Sequence, residues 1–172
     1  MTSLSKVDRQ ILDILQRDGR ISNVELAERI GMSPSPTLRR VKQLEANGYI
    51  ERYVAHLDRR KAGLGLVAYA EVKVPRQNDD SHVERFKAAI QREPMVIGCY
   101  VLAGPFDFLL KVVATDLDAY SDFLVQRLLK MPGVQDVRSS FVMETVKDTT
   151  ALPLDHLCGA AGAPEQRTPG RD

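Results

Sequence analysis

The chain has no tryptophan, only two cysteines and only three histidines among its 172 residues. Cys99 sits in an apolar run and Cys158 in a Gly/Ala-rich stretch, far away in sequence. That placement argues against a disulfide and for a reducing compartment. His56, His82 and His156 fall in three separate segments, none at metal-ligand spacing from a cysteine or carboxylate. Neither a metal site nor a cofactor is expected. There is no glycine-rich phosphate loop. No nucleophile, base and orienting group come together, so an enzyme is not expected. Asp79-Asp80 reads as a solvated pair in a polar turn. No apolar run approaches the roughly 18 residues of a membrane span, and the opening Met1-Thr2-Ser3-Leu4-Ser5-Lys6 lacks the pattern of a signal peptide. The expectation is a cytoplasmic protein with no membrane partner.

What is present is an uneven distribution of charge. The formal net charge is +1, but residues 1–63 hold 12 Lys/Arg against 8 Asp/Glu, whereas residues 64–150 hold 10 against 12. A basic first part joined to a mildly acidic remainder hints that the first part meets a polyanion.

The first part reads as three helices. Ser5 with Asp8, and again Ser22 with Glu25, have the spacing of a capping box, in which side chain and backbone satisfy each other at a helix start. Val7, Ile11, Ile14 and Leu15 recur at helical spacing, and Asp18-Gly19 closes the first helix. Leu26, Ala27 and Ile30 give the second an inner face, and Gly31 stops it. Ser33 then caps a third helix with Pro34 at its first position, where a missing N–H costs nothing. This helix continues through Leu38, Val41 and Leu44 to Asn47-Gly48.

Two short helices joined by a tight glycine turn form a helix-turn-helix. Ile30, Leu38 and Val41 are expected to bury its corner, braced by Val7, Ile11 and Leu15. The start of the third helix, Ser33-Pro34-Ser35-Pro36-Thr37, presents hydroxyls and backbone N–H groups that suit phosphate oxygens. Arg39, Arg40 and Lys42 follow on the side assigned to solvent; arginine fits the major-groove edge of guanine and lysine fits phosphate. Ser33, Ser35, Pro36, Thr37, Arg39, Arg40 and Lys42 are therefore the candidate contacts to double-stranded DNA. Residues 49–55 look extended, as a wing or linker strand, and a domain boundary is expected at residue 63.

From residue 64 the pattern changes to strand, helix, strand, strand, helix, strand. Ala68, Ala70, Val72 and Val74 alternate inward. Residues 75–80 read as a turn. Val83, Phe86 and Ile90 mark the inner face of one helix, and Leu117, Tyr120, Leu124 and Leu128 that of the other. Two strands meet at Gly104-Pro105-Phe106-Asp107, and a last strand spans residues 134–146. This βαββαβ order is ferredoxin-like, with both helices on one face of an antiparallel sheet. In residues 108–114 both alternating sets are largely apolar. The uncovered face is therefore expected to meet a second copy of the chain. Cys99 reads as a small buried hydrophobe. The fold class is thus α+β: a (winged) helix-turn-helix in residues 1–63, a ferredoxin-like domain in 64–150, and a largely disordered tail in 151–172.

Residues 18–26, Asp-Gly-Arg-Ile-Ser-Asn-Val-Glu-Leu, and Gly31-Met32-Ser33-Pro34-Ser35-Pro36 resemble the helix-turn-helix of the Lrp/AsnC, or feast/famine, transcriptional regulators. The stretch Gly104-Pro105-Phe106-Asp107 with Leu109-Leu110-Lys111, and Pro132-Gly133-Val134 leading to Val142-Met143-Glu144, resemble that family's effector domain. The likeness spans about residues 4–150, and Leu152-Pro153-Leu154-Asp155-His156-Leu157 is similar to one subset of the family. It implies a nucleoid-associated regulator that forms a dimer and assembles further into tetramers or octamers. It also implies an amino-acid effector bound between C-terminal domains, with leucine or methionine first in line. The positions implied at that site are Val101, Ala103, Gly104, Pro105, Asp107, Leu117 and Ser140. Gly104 would let a ligand carboxylate approach the backbone, and Asp107 would receive an ammonium group. Pro105 and Ser140 depart from the family pattern, where an acidic residue is common at the first and one member has an aromatic residue at the second. Two other readings fit the residues alone: an architectural protein that bends DNA without an effector, and an amino-acid-binding module whose helical head contacts protein.

Overall fold

The computed structural model describes residues 4–74 and 81–157. The expected turn at 75–80, Cys158 and the rest of the tail lie outside the described residues. Among those described, the chain divides into two compact units, one comprising residues 4–55 and 148–157, the other 56–74 and 81–147.

The first unit holds α1 (Lys6–Leu15), α2 (Asn23–Ile30) and α3 (Pro34–Ala46). Both capping boxes form: the Ser5 and Ser22 hydroxyls accept from the amides of Asp8 and Glu25, whose carboxylates accept in return from the capping backbone. Gly31 ends α2 at φ +69°, in the left-handed region that a β-carbon disfavours. This allows α3 to start three residues later. Ile11, Leu26 and Leu44 are buried together, with Val7, Leu15, Ile30, Val41 and Ile50 packed around them.

Three details differ from the sequence expectation. Leu38 does not bury the corner; it is 44% exposed, and Thr37 is fully buried instead. The inner stripe of α3 therefore runs Thr37, Val41, Leu44: the last two are inward as expected, and Thr37 stands in place of Leu38. Residues 51–55 form no strand within the described chain; they follow α3 in irregular conformation, and Tyr53 donates from its hydroxyl to Glu45 at 3.0 Å. Finally, the start of the expected tail is ordered. The Leu152 amide donates to Gln16 Oε1 at 2.8 Å, Gln16 Nε2 returns a bond to the Leu152 carbonyl at 3.1 Å, and Asp155 closes a one-turn 3-10 helix, Asp155–Leu157, onto Arg9 at 3.4 Å.

The second unit contains β1 (Leu66–Lys73), α4 (Ser81–Ile90), β2 (Val96–Val101), β3 (Phe108–Ala114), α5 (Leu117–Gln126) and β4 (Asp136–Phe141). The sheet order is β2-β3-β1-β4, with every neighbouring pair antiparallel, which is the ferredoxin-like topology. Residues 56–63 belong with this unit because Arg59 donates to the carbonyls of Leu64 and Gly65, at 2.8 and 3.0 Å, and ties that turn to the start of β1.

Ala68, Ala70, Val72, Phe108, Leu110 and Val112 line the helix-covered face and pack with Val83, Phe86, Ile90, Tyr120, Phe123 and Leu128. Leu117, expected inward, is 57% exposed at the first position of α5, and Phe123, next to the expected Leu124, is fully buried. Leu128 is buried from a separate 3-10 turn, because α5 ends at Gln126. β4 is also shorter than expected. Cys99 is exposed rather than core: it lies on edge strand β2, opposite Leu110. The uncovered face is more polar than β3 alone suggested. Its cross-strand neighbours include Glu71 beside Arg138 and Leu109, and Tyr69 beside Lys111 and Ser140.

Candidate functional site

The exposed side of α3 is built by subtraction. Thr37, Val41 and Leu44 face α1 and α2, and the Thr37 hydroxyl, having no water available, donates to the Ser33 carbonyl at 2.9 Å. This leaves Ser35, Leu38, Arg39 and Lys42 outside. They are spaced i, i+3, i+4 and i+7, one stripe of a helix surface. Ser33 is exposed as well, though its side chain makes no capping bond. Asn23 at the start of α2 donates to the Pro34 carbonyl at 2.8 Å and pins the two helix starts together.

The seven residues expected at DNA thus separate. Ser33, Ser35, Arg39 and Lys42 lie open to a partner. Thr37 does not, since it is core. Pro34 and Pro36 carry no N–H and the Thr37 amide donates to Ser33, so the start of α3 offers fewer donors than its hydroxyl-rich sequence suggested. Arg40 is also committed elsewhere. Its guanidinium lies 2.8 Å from Asp8 and 3.3 Å from the Ser5 hydroxyl, clamping α3 to the cap of α1. Burial resists ionisation of Asp8, but the Ser5 bonds and the Arg40 charge outweigh it and hold the carboxyl below its ordinary value of 3.8. Arg40 could not be told from Arg39 by sequence because its partner lies 32 residues away.

In the second unit, a pocket of about 330 Å³ opens between the start of α4 and the β2–β3 hairpin. Val74, Val83, Lys87, Val101, Leu102, Asp107 and Phe108 line it. Asp107 is held in place: its Oδ2 accepts from the Val74 amide at 2.9 Å, while its own backbone bridges Leu102 and Val72. Lys87 lines the same pocket, with its ammonium donating to Glu84 at 2.7 Å. One acidic and one basic residue thus line the pocket, and its other lining side chains are apolar. Volumes of about 300–1,000 Å³ are usual for small-molecule sites.

Of the expected effector residues, Val101 and Asp107 line this pocket. Ala103, Gly104 and Pro105 are exposed on the adjoining loop. Leu117 and Ser140 are elsewhere in the unit, Leu117 beyond the far end of β3 and Ser140 opposite Tyr69 on the other edge strand, β4. One copy of the chain does not bring all seven together. Lys87, Val74, Val83, Leu102 and Phe108 were not legible as site residues in sequence; they come from α4, β3 and the positions that follow β1 and β2, and no local motif joins them. Among the described residues no group of His, Cys, Asp and Glu could hold a metal.

A helix-turn-helix with a basic outer stripe, joined to a ferredoxin-like unit with an amphoteric pocket, defines a ligand-responsive transcription regulator. Residues 4–51 match the model for a winged helix-turn-helix DNA-binding domain, and residues 67–152 match that for the Lrp/AsnC ligand binding domain. The leucine-responsive regulatory protein of Salmonella typhimurium is 43% identical over 151 residues, covering 88% of this chain and 92% of that protein. The protein of the same name from Escherichia coli K12 is 42% identical over the same coverage. Among solved structures, a transcriptional regulator from Neisseria meningitidis in complex with L-Met has a TM-score of 0.86 at 45% identity, covering 90% of this chain and 99% of that one. An AsnC family regulator from Agrobacterium tumefaciens has a TM-score of 0.84 at 35% identity, with 89% and 99% covered. The chain belongs to the Lrp/AsnC family of transcription regulators. Its relatives are regulators, not enzymes.

Proposed function

We propose that the chain reads DNA with the Ser35–Leu38–Arg39–Lys42 stripe of α3 and senses a hydrophobic amino acid in the pocket beside Asp107. The observation that carries the second half is that Asp107 and Lys87 both line one pocket whose other side chains are apolar. A free amino acid is a zwitterion, and it needs an acceptor for its ammonium and a cation or N–H for its carboxylate. Valine, leucine and phenylalanine side chains around those charges select an apolar side chain. Leucine and methionine are the first candidates, in keeping with the names of the leucine-responsive relatives and the L-Met complex.

The chain acts as a homo-oligomer at the chromosome. Edge strand β2 exposes Ile97, Tyr100 and Val101, and Phe141 is exposed on β4. Unpaired apolar edges of this kind are usually covered by a partner. A second copy is also what would complete a site whose expected residues are spread over one unit. Two reading heads then suit a pseudo-palindromic operator, and the effector alters head spacing by favouring one assembly state.

Isothermal titration of the full chain with each amino acid tests the sensing half. One apolar amino acid is expected to bind to the wild type, with binding lost in Asp107→Asn. Equal binding by that variant would remove Asp107 from the site, and no binding by any amino acid would favour a DNA-bending protein without an effector.

A further inference from the structure

The order of polarity at Thr37-Leu38 is inverted relative to what packing alone favours. The hydroxyl-bearing residue is fully buried, and the larger apolar one is 44% exposed. Burying a leucine stabilises a fold more than burying a threonine, whose hydroxyl must find an internal partner. Here that partner is the Ser33 carbonyl. Leu38 also sits inside the polar stripe of α3, with Ser35 before it and Arg39 and Lys42 after it. Isolated surface leucines are ordinary. This one lies in the middle of the surface that would enter the groove, flanked by the positive charges that would hold phosphates or guanine.

We infer that Leu38 is a specificity-determining residue that reads the C5-methyl group of a thymine in the major groove. This rests on α3 being the reading helix. Of the groups that the four base pairs display in the major groove, the thymine methyl is the apolar one; the others are hydrogen-bond donors and acceptors. An aliphatic side chain on a reading helix has that one favourable target. Facing the wrong base it would desolvate a polar edge without replacing its hydrogen bonds. Leu38 and Arg39 are adjacent in the chain, so the thymine lies next to the base or phosphate that Arg39 holds.

The test starts from the site that the full chain selects from a random DNA library. Each thymine of that site is then replaced by deoxyuridine, which removes only the methyl group. Wild-type affinity is expected to fall about fourfold at one thymine per half-site, the value of burying a single methyl group. Leu38→Ala is expected to bind thymine and deoxyuridine equally there, while keeping its circular dichroism spectrum. Leu38→Gln is expected to lose the enrichment of thymine at that position in a repeated selection. The same deoxyuridine penalty in wild type and Leu38→Ala, or no penalty at any thymine, would overturn the assignment. Arg39→Ala separates the two levels: if it weakens binding while Leu38→Ala leaves the thymine preference intact, only the Leu38 role falls; if neither variant changes binding, the reading helix itself is wrong.

Discussion

The two adjacent arginines of α3 have different work, and mutation separates them. Arg40 donates to Asp8 at 2.8 Å and to the Ser5 hydroxyl at 3.3 Å, with side-chain exposures of 35% for Arg40 and 18% for Asp8. A hydrogen bond to a charged group contributes about 1.5–3 kcal/mol. Partial solvation lowers that here, and Asp8 keeps its bonds from Ser5 when the arginine is removed. Arg40→Ala should therefore cost about 1–2 kcal/mol of the first unit's stability. For a domain of this size that is a drop of about 5–10 °C in its melting midpoint. Arg39 is exposed and makes no hydrogen bond or ion pair among the described residues. Arg39→Ala should leave the midpoint unchanged and cost about 1–3 kcal/mol in DNA affinity. Circular dichroism melts and fluorescence anisotropy on a labelled operator, both with the full chain, read the two effects. A double-mutant cycle with Asp8→Asn should show coupling to Arg40 and none to Arg39. If Arg40→Ala melted like the wild type and lost as much affinity as Arg39→Ala, the assignment of the two side chains would be refuted.

Gly31→Ala should destabilise the helix-turn-helix by about 1–2 kcal/mol, the strain of a β-carbon in the left-handed region; no neighbouring atom obstructs the added carbon, so a loss well beyond this in a denaturant melt would point to some other role. Acid should weaken the first unit. Asp8 and Glu25 are both held below their ordinary values of 3.8 and 4.5, so their stabilisation is complete above those values and is lost as pH falls through the lower folded ones. A melting midpoint that stayed flat as pH fell from 5 to about 2 would contradict this sign. Phe86 is fully buried against Phe108, with ring centroids 4.8 Å apart; Phe86→Ala should cost about 3–5 kcal/mol, measured as a fall in the midpoint of the second unit's unfolding.

The parts of this molecule that sequence made legible are those whose physics is local. Ser5/Asp8 and Ser22/Glu25 announce helix starts because a capping box needs both residues within one turn. Gly31 announces the turn because a left-handed residue is needed there. Alternation at residues 68–74 gave the buried side of β1, and the order of elements gave the sheet topology. What remained hidden depends on distant partners. At the start of α3 Thr37 rather than Leu38 faces inward, since a helical period of 3.6 puts both the third and the fourth residue before Val41 near its face. Arg40 looked free until α1 placed Asp8 beside it. Lys87 came to line the same pocket as Asp107 only once α4 was laid across the sheet. The polarity of the open face depended on which residues of β1 and β4 lie beside β3, and β3 itself carried no sign of Glu71 or Arg138.

The most direct test of the account is the affinity of the full chain for its own upstream DNA, measured by anisotropy with and without each amino acid over a range of salt. Specific binding is expected that weakens steeply with salt, as phosphate contacts require, and that one apolar amino acid changes through Asp107. Binding that is absent at low salt would contradict the reading of α3, and specific binding indifferent to every amino acid would contradict the reading of the pocket.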